Sequence, residues 1–254
     1  MSNTAVRTAV FAFHAPMQSW GTASKLATRD TRSMPSRSGI LGLVRSALGD
    51  PRQGNEQLSK RLNQTKISVR VDRPGVRTRD YHTITANPPV AFTGEGSKNK
   101  TTIISERWYL SDAAFLVTIE SPQDSSIVQE LFSAAESPMW HLCLGRRSCP
   151  PVFPFALGVL DMSSVEILRQ APSMAREDRP LTISVEHERA AECEALGWKG
   201  HGFSEDMAQP VFGPGRMWAP DRRTLFTMTD SPSPAGVVAL ASWVQAQATE
   251  GTSS

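Results

Sequence analysis

Apolar residues run through positions 8–13 (TAVFAF), which predicts a first strand, and the turn formers of the following HAPMQSWG cannot continue it. After a long polar loop, Ile40, Leu41, Val44, Ala47 and Leu48 recur at helical spacing in RSGILGLVRSALG. Ser36 or Ser38 stands where an N-cap belongs and Gly49 where a C′ glycine belongs, so this is the main helix. Residues 55–62 predict a short second helix, and Ile67, Val69 and Val71 alternate with Ser68, Arg70 and Asp72 as a half-buried strand. The pattern then breaks. Residues 73–107 hold Pro74, Gly75, Pro88, Pro89, Gly94 and Gly96 with few core-forming side chains, too long a stretch for an ordinary connection.

Regular structure resumes as a strand at 114–120 (AFLVTIE) and a helix at 125–136, followed by a Gly/Arg/Pro segment at 142–154. Strand, helix, strand, long excursion, strand, helix is the order of the ferredoxin-like split βαβ plan. Beyond about Asp161 the alternation weakens. Residues 181–185 and 224–228 read as strands and 236–248 as a terminal helix after an SPSP linker, which predicts a smaller second subdomain over 161–254. No internal repeat is visible.

With 39% hydrophobic and 20% charged residues in 254 positions, the chain can bury a sizeable core, so disordered and fibrous classes are excluded. No apolar run approaches the 18 or so residues of a membrane span, and MSNTAVRTAVFAFHAP has no signal-peptide pattern; a cytoplasmic protein without membrane contact is expected. Cys143, Cys149 and Cys193 match neither a disulfide framework nor a zinc pattern, so no metal is expected. The net charge of +2 conceals an asymmetry. Residues 1–110 carry 17 Lys+Arg against 7 Asp+Glu (+10), and residues 111–254 carry 10 against 18 (−8). A basic half joined to an acidic one suggests a polyanion-binding surface in the first part, although chance clustering of solvated charges explains it equally well.

Four clusters are candidates for chemistry. Met17, Gln18, Ser19, Trp20 and Gly21 follow the first strand, where a ligand would meet a loop end beside an exposed indole. Arg37, with Arg29 and Arg32 before it and Ser36 and Ser38 around it, opens the main helix, whose terminal N–H groups and dipole favour phosphate. Taken singly, Trp20 reads first as a core residue and Ser36 as an ordinary cap. The third cluster is Arg77, Arg79, Asp80, Tyr81 and His82, in the excursion that also carries Lys98, Lys100 and Arg107. Arginines interleaved with aromatics suit single-stranded nucleic acid, and Tyr81 with His82 would equally suit metal-independent proton transfer at a phosphate. The fourth, Gly145, Arg146, Arg147 and Ser148, can grip phosphate or form a plain exposed turn. GxSxG, Walker A and HExxH motifs are absent, and Cys149 lacks the surroundings of a nucleophile.

The strings APMQSWG, TRDTRSMPSRSGILGLVRSALG, VRVDRPG, RDYHT, ERWYLSDAAFLV and LGRRSCPPVFPF, in order over roughly residues 8–160, resemble the CasD-type subunits of the type I-E CRISPR Cascade, in the RAMP superfamily. The resemblance implies an α+β fold: a modified ferredoxin-like (RRM-like) core over 1–160, a protruding β-hairpin thumb at about 73–107, and a small C-terminal β-rich subdomain. It also implies a non-catalytic subunit with no cofactor that holds the 5′ handle of the CRISPR RNA and caps a filament of CasC backbone subunits beside the large subunit CasA. Target DNA is then met only through the complex, its sequence being read by guide pairing. The motif positions it marks for RNA are Met17, Gln18, Ser19, Trp20, Gly21, Ser36, Arg37, Ser38, Arg146, Arg147 and Ser148, and Arg32, Arg79, Tyr81, His82 and Arg107 of the charged and aromatic clusters complete the candidate contacts. The alternative is a metal-independent endoribonuclease that processes the repeat RNA with His82, Tyr81 and Lys25 or Lys100; RDYHT belongs to the type I-E pattern, in which a separate subunit does the processing.

Overall fold

A computed structural model describes residues 6–21, 28–51, 54–84, 91–92, 98–99, 103–206 and 221–251. In chain order the strands are β1 (Thr8–His14), β2 (Met17–Gln18), β3 (Thr28–Arg29), β4 (Lys66–Arg73), β5 (Val76–Ile84), β6 (Ala91–Phe92) and β7 (Lys98–Asn99). They continue as β8 (Ile103–Ser111), β9 (Ala114–Glu120), β10 (Ala156–Leu160), β11 (Leu181–Glu186), β12 (Lys199–Asp206) and β13 (Asp221–Met228). The helices are α1 (Arg37–Ala47), α2 (Glu56–Asn63), α3 (Ser125–Glu136), α4 (Ser164–Gln170), α5 (Ala190–Ala195) and α6 (Gly236–Gly251). The protein is thus a mixed α+β fold built on antiparallel sheet. Among the described residues no helix is long and apolar enough to cross a membrane.

Seven strands form one antiparallel sheet in the order β10-β1-β9-β4-β11-β13-β12. Residues 8–160 supply β1, β4, β9 and β10, with α1 in the crossover from β1 to β4 and α3 in that from β9 to β10. The acidic C-terminal part adds β11, β13 and β12 to the edge at β4. One face of the sheet, with Phe11, Phe13, Val69 and Val117, packs on Ile40, Leu41 and Val44 of α1 and on Ile127 and Leu131 of α3. The opposite face, with Val10, Ala12 and Leu116, is covered by Val165, Ile167 and Leu168 of α4 and by Leu240 and Val244 of α6. This second layer corrects the expectation of a half-buried strand at β4: Ser68, Arg70 and Asp72 are all buried.

The main helix forms as its spacing predicts. The Ser36 side chain accepts a hydrogen bond from the Gly39 amide, which satisfies one of the helix's unpaired N–H groups, and Gly49 follows the end with φ +70°. The break after residue 73 is ordered where it is described. β5 and β8 pair over nine residues from Val76 against Ser111 to Ile84 against Ile103, and β2 joins β8 at the base of this hairpin. Neither arm was evident in the hydrophobic pattern.

Helix α3 starts on Asp124, whose carboxylate accepts from the amides of Ser126 (3.1 Å) and Ile127 (3.2 Å). Arg61 of α2 reaches the same carboxylate at 2.7 Å and ties the two helices together. The Arg61 hydrogen bond, followed by that of Ser126, pulls the Asp124 carboxyl down to about 2. A carboxyl whose pKa is depressed by folding adds stability above its unfolded value, near 3.9, and loses that contribution as pH falls toward 2. Asp124→Ala is therefore expected to cost about 1 kcal/mol or somewhat more at pH 7, with the difference from wild type shrinking between pH 4 and 2 in urea titrations. A constant difference across that window would exclude the carboxylate as its source.

Candidate nucleic-acid interface

The turn after β1 is fixed from inside. Gln18, fully buried, donates from Nε2 to the carbonyls of Phe13 (3.1 Å) and Ala113 (2.9 Å) and accepts from Trp20 Nε1 (3.2 Å). The Trp20 ring stacks on Phe13 at 5.7 Å, and Phe13 stacks on Phe155 at 5.2 Å. Trp20 is 1% exposed, so the exposed indole expected from the sequence is instead a core ring whose edge lies under α1. The Ser19 amide donates to the Leu144 carbonyl (3.0 Å), and its hydroxyl donates to that of Trp108 (3.3 Å). Gly145, with φ +94°, lies so close that a Cβ there would be 1.6 Å from the Ser19 oxygen. Only glycine permits this contact between the first and fourth sequence clusters.

The same contact opens a groove of about 1160 Å³. Ser19, Trp20 and Gly21 line it together with Ser36, Ser38, Gly39 and Gly42 of the α1 region and with Gly145, Arg146 and Arg147 of the fourth cluster. Three strings, the third more than a hundred positions beyond the other two, thus meet in one concavity, floored by α1. Gly21, Arg147 and Ser148 are exposed, as is Met17 at 40%, while Arg32 and Ser38 are half-buried and Ser36 is buried as the cap.

Two arginines have structural employment instead of the phosphate contacts expected of them. Arg37 is 5% exposed; it pairs with Glu186 at 3.0 Å and donates to the carbonyls of Leu62 and Asn63. Its charge faces the sheet, where burial without a partner would be costly. Arg146 lines the groove but also lies over the Tyr109 ring at 4.7 Å and donates to the carbonyls of Trp108 (3.2 Å) and Arg29 (2.7 Å). It fastens the base of the β5–β8 hairpin.

On that hairpin Arg79 is exposed and ion-paired diagonally with Glu106 at 3.5 Å, and both Arg77 and Arg79 lie over the Trp108 ring, at 4.5 and 5.9 Å. Arg77 also pairs with Asp30. Arg107 is half-buried, and its Nε is buried without a hydrogen-bond partner. Tyr81 is 57% exposed, and His82 Nε2 lies 2.5 Å from Asp80 Oδ2. Strand alternation puts Asp80 and His82 on one face of β5 and Tyr81 on the other, so Tyr81 and His82 do not converge. Lys25 and Lys100 lie outside the described residues, as does the side chain of Lys98.

Burial raises the thiols of Cys143 and Cys149, which keeps them protonated at neutral pH and poor as nucleophiles. Among the described residues no group of three or more His, Cys, Asp or Glu side chains is placed to hold a metal ion. Trp140, His141, Gly42 and Phe153 also line the groove and were not singled out in the sequence. Trp140 and Phe153 had a signal: both are aromatics beside prolines in a segment without periodicity, where no core element would claim them.

The groove, with Arg147 among its lining, and the hairpin that exposes Arg79 and Tyr81 thus stand on one α+β core. A family model described as CRISPR-associated protein (Cas_Cas5) matches residues 8–224, and the chain belongs to this family. It is 36% identical over 157 residues to the CRISPR system Cascade subunit CasD of Escherichia coli (strain K12), covering 58% of this chain and 69% of that protein. It is also similar to a chain of a CRISPR RNA-guided surveillance complex, with TM-score 0.71 and 25% identity over 94% of this chain and 99% of that one. A second solved structure, described as a Cas protein, gives TM-score 0.63 and 28% identity over 90% and 100%.

Proposed function

We propose that this chain is a non-catalytic, cytoplasmic RNA-binding subunit of a CRISPR Cascade complex, which holds the 5′ handle of the guide RNA in the groove over α1. The observation that carries the reading is the convergence of Ser19–Gly21, Ser36 with Ser38, and Arg146 with Arg147 on one concavity. Exposed Arg147 in the groove and Arg79 on the hairpin supply charge that a polyanion needs. The relatives' names support the assembly, and the shared pattern of strings extends the proposal to capping of the CasC filament beside CasA.

In this reading β10-β1-β9-β4 with α1 and α3 is a modified ferredoxin-like core, because that strand order with antiparallel neighbours is the split βαβ arrangement. The β5–β8 hairpin is the thumb. Residues 161–254 are a C-terminal subdomain that shares the core's sheet, and their acidic surface faces away from RNA. Gly21, Ser38 and Arg147 make the groove contacts, Met17 and Ser148 are exposed contacts outside its lining, and Arg79, Tyr81, His82 and Arg107 act on the thumb. Gln18, Ser19, Trp20, Ser36, Arg37 and Arg146 shape the site from behind.

The test is a gel-shift salt series in chelator with end-labelled repeat RNA, a scrambled RNA, and the Arg147→Ala and His82→Ala variants. The repeat is expected to shift in preference to the scrambled RNA without new fragments. Arg147→Ala should lower the log–log salt slope by about 0.7, the value of one single-strand phosphate contact. An unchanged slope would remove Arg147 from the interface. A fragment that disappears in His82→Ala would make the chain an endoribonuclease.

A further inference from the structure

Two of the most exposed aromatic side chains in the described structure, Trp140 at 46% and Phe153 at 74%, line the same groove. Apolar side chains grouped on one concave surface mark a binding site in a way that singly scattered ones do not. Their backbone is held in place: the Met139 amide donates to the Ala47 carbonyl (2.9 Å), the Val152 amide donates to that of His14 (3.0 Å), and Phe155 stacks in the core. The rings are therefore presented on pinned chain, at little ordering cost to a ligand. α1 contributes Gly39, Gly42, Leu43 and Ser46, and its two glycines leave part of that floor without side-chain relief.

We propose that Trp140 and Phe153 are stacking walls for unpaired nucleobases, so that the groove holds bases as well as phosphate. The claim rests on the RNA reading above and deepens it. The lining decides between a base and an apolar peptide anchor. Two separate rings stand in a lining that also holds Ser38 and Ser46, and Arg147 supplies a cation. A flat, anionic ligand uses both the rings and the cation, whereas an aliphatic anchor would use neither the ring faces for stacking nor the charge of Arg147.

The experiment combines Trp140→Ala, Trp140→Phe and Phe153→Ala with repeat RNAs carrying a single abasic nucleotide at successive handle positions. Thermal melts verify folding, which exposed positions should leave intact. Each alanine variant is expected to weaken binding of intact RNA roughly five- to hundred-fold, the range for one lost stack, with the salt slope unchanged and Trp140→Phe recovering most of the loss. One abasic position should weaken the wild type by a similar factor and make the alanine change nearly silent, which is the coupling of a direct contact. Losses that are the same on every abasic RNA, or no loss at all, would overturn the stacking claim. Retained RNA binding with lost assembly into the complex would do so too, by assigning the rings to a protein partner. If Arg147→Ala still lowers the salt slope in these cases, the groove remains the RNA site and only the stacking fails; loss of both effects removes the groove reading as well.

Discussion

Arg70→Met is expected to lower the unfolding free energy by roughly 3–5 kcal/mol, the cost of leaving a buried charge without its partner, and the melting temperature by roughly 10 °C for a chain of this size. Arg70 and Asp72 are both fully buried and paired in two hydrogen bonds of 2.6 and 3.1 Å. The guanidinium also donates to the carbonyls of Leu168 and Ala171, both at 2.7 Å, and of Pro172 at 2.8 Å. The first two belong to the C-terminal turn of α4, whose carbonyls have no helical partners. One side chain on β4 thus caps α4 with a positive charge at the favourable end of its dipole. It also joins the C-terminal part of the chain to the first half. Asp72 completes the joint by accepting from the Met174 amide at 2.7 Å. Arg70→Met/Asp72→Asn should recover part of the loss, because the uncompensated charge is gone while the helix end remains unpaired. Hydrogen exchange should show the deficit first in α4 and β11. A loss below about 1 kcal/mol in the single variant would mean that solvent reaches the pair.

The same network shows where sequence reasoning stops. Helix α1 was legible because apolar spacing, cap and C′ glycine agree within fourteen residues, and each is a local effect. β5 was not, because Arg77, Arg79 and Tyr81 alternate with Thr78, Asp80 and His82: both faces are polar, and pairing with β8 creates the strand. The charges misled most. A sequence presents Arg37 and Arg70 as solvated cations, and the groups that bury them, Glu186 and the end of α4, lie about a hundred or more positions away. Trp20 was drawn toward the ligand by its loop, when Phe13 and Gln18 had already claimed it. The groove was half legible. Its strings could be quoted one by one, but their meeting depends on the Gly145–Ser19 approach, which no spacing along the chain encodes.

Gly42→Leu should separate stability from binding with opposite signs. Gly42 is exposed in the middle of α1, and a Cβ built there meets nothing within 4 Å, so the fold has room for a side chain. Replacing a helix-interior glycine by a good helix former gains roughly 0.5–1 kcal/mol, and the melting temperature should hold or rise by a few degrees. The same space is the floor of the groove. An isobutyl group standing on it would exclude a base or sugar resting on the helix, and repeat RNA affinity should fall at least tenfold, with Gly42→Ala intermediate. Gly39 cannot serve in the same way, because a Cβ there would lie 3.0 Å from the Trp20 ring and disturb the core. Most variants that lose binding also lose stability, which leaves their cause open. Here the two are expected to part, so that weakened binding in a protein that melts no lower locates the ligand on α1. Wild-type affinity in Gly42→Leu would instead move the RNA off the groove floor and onto the hairpin, where Arg79 and Tyr81 are exposed.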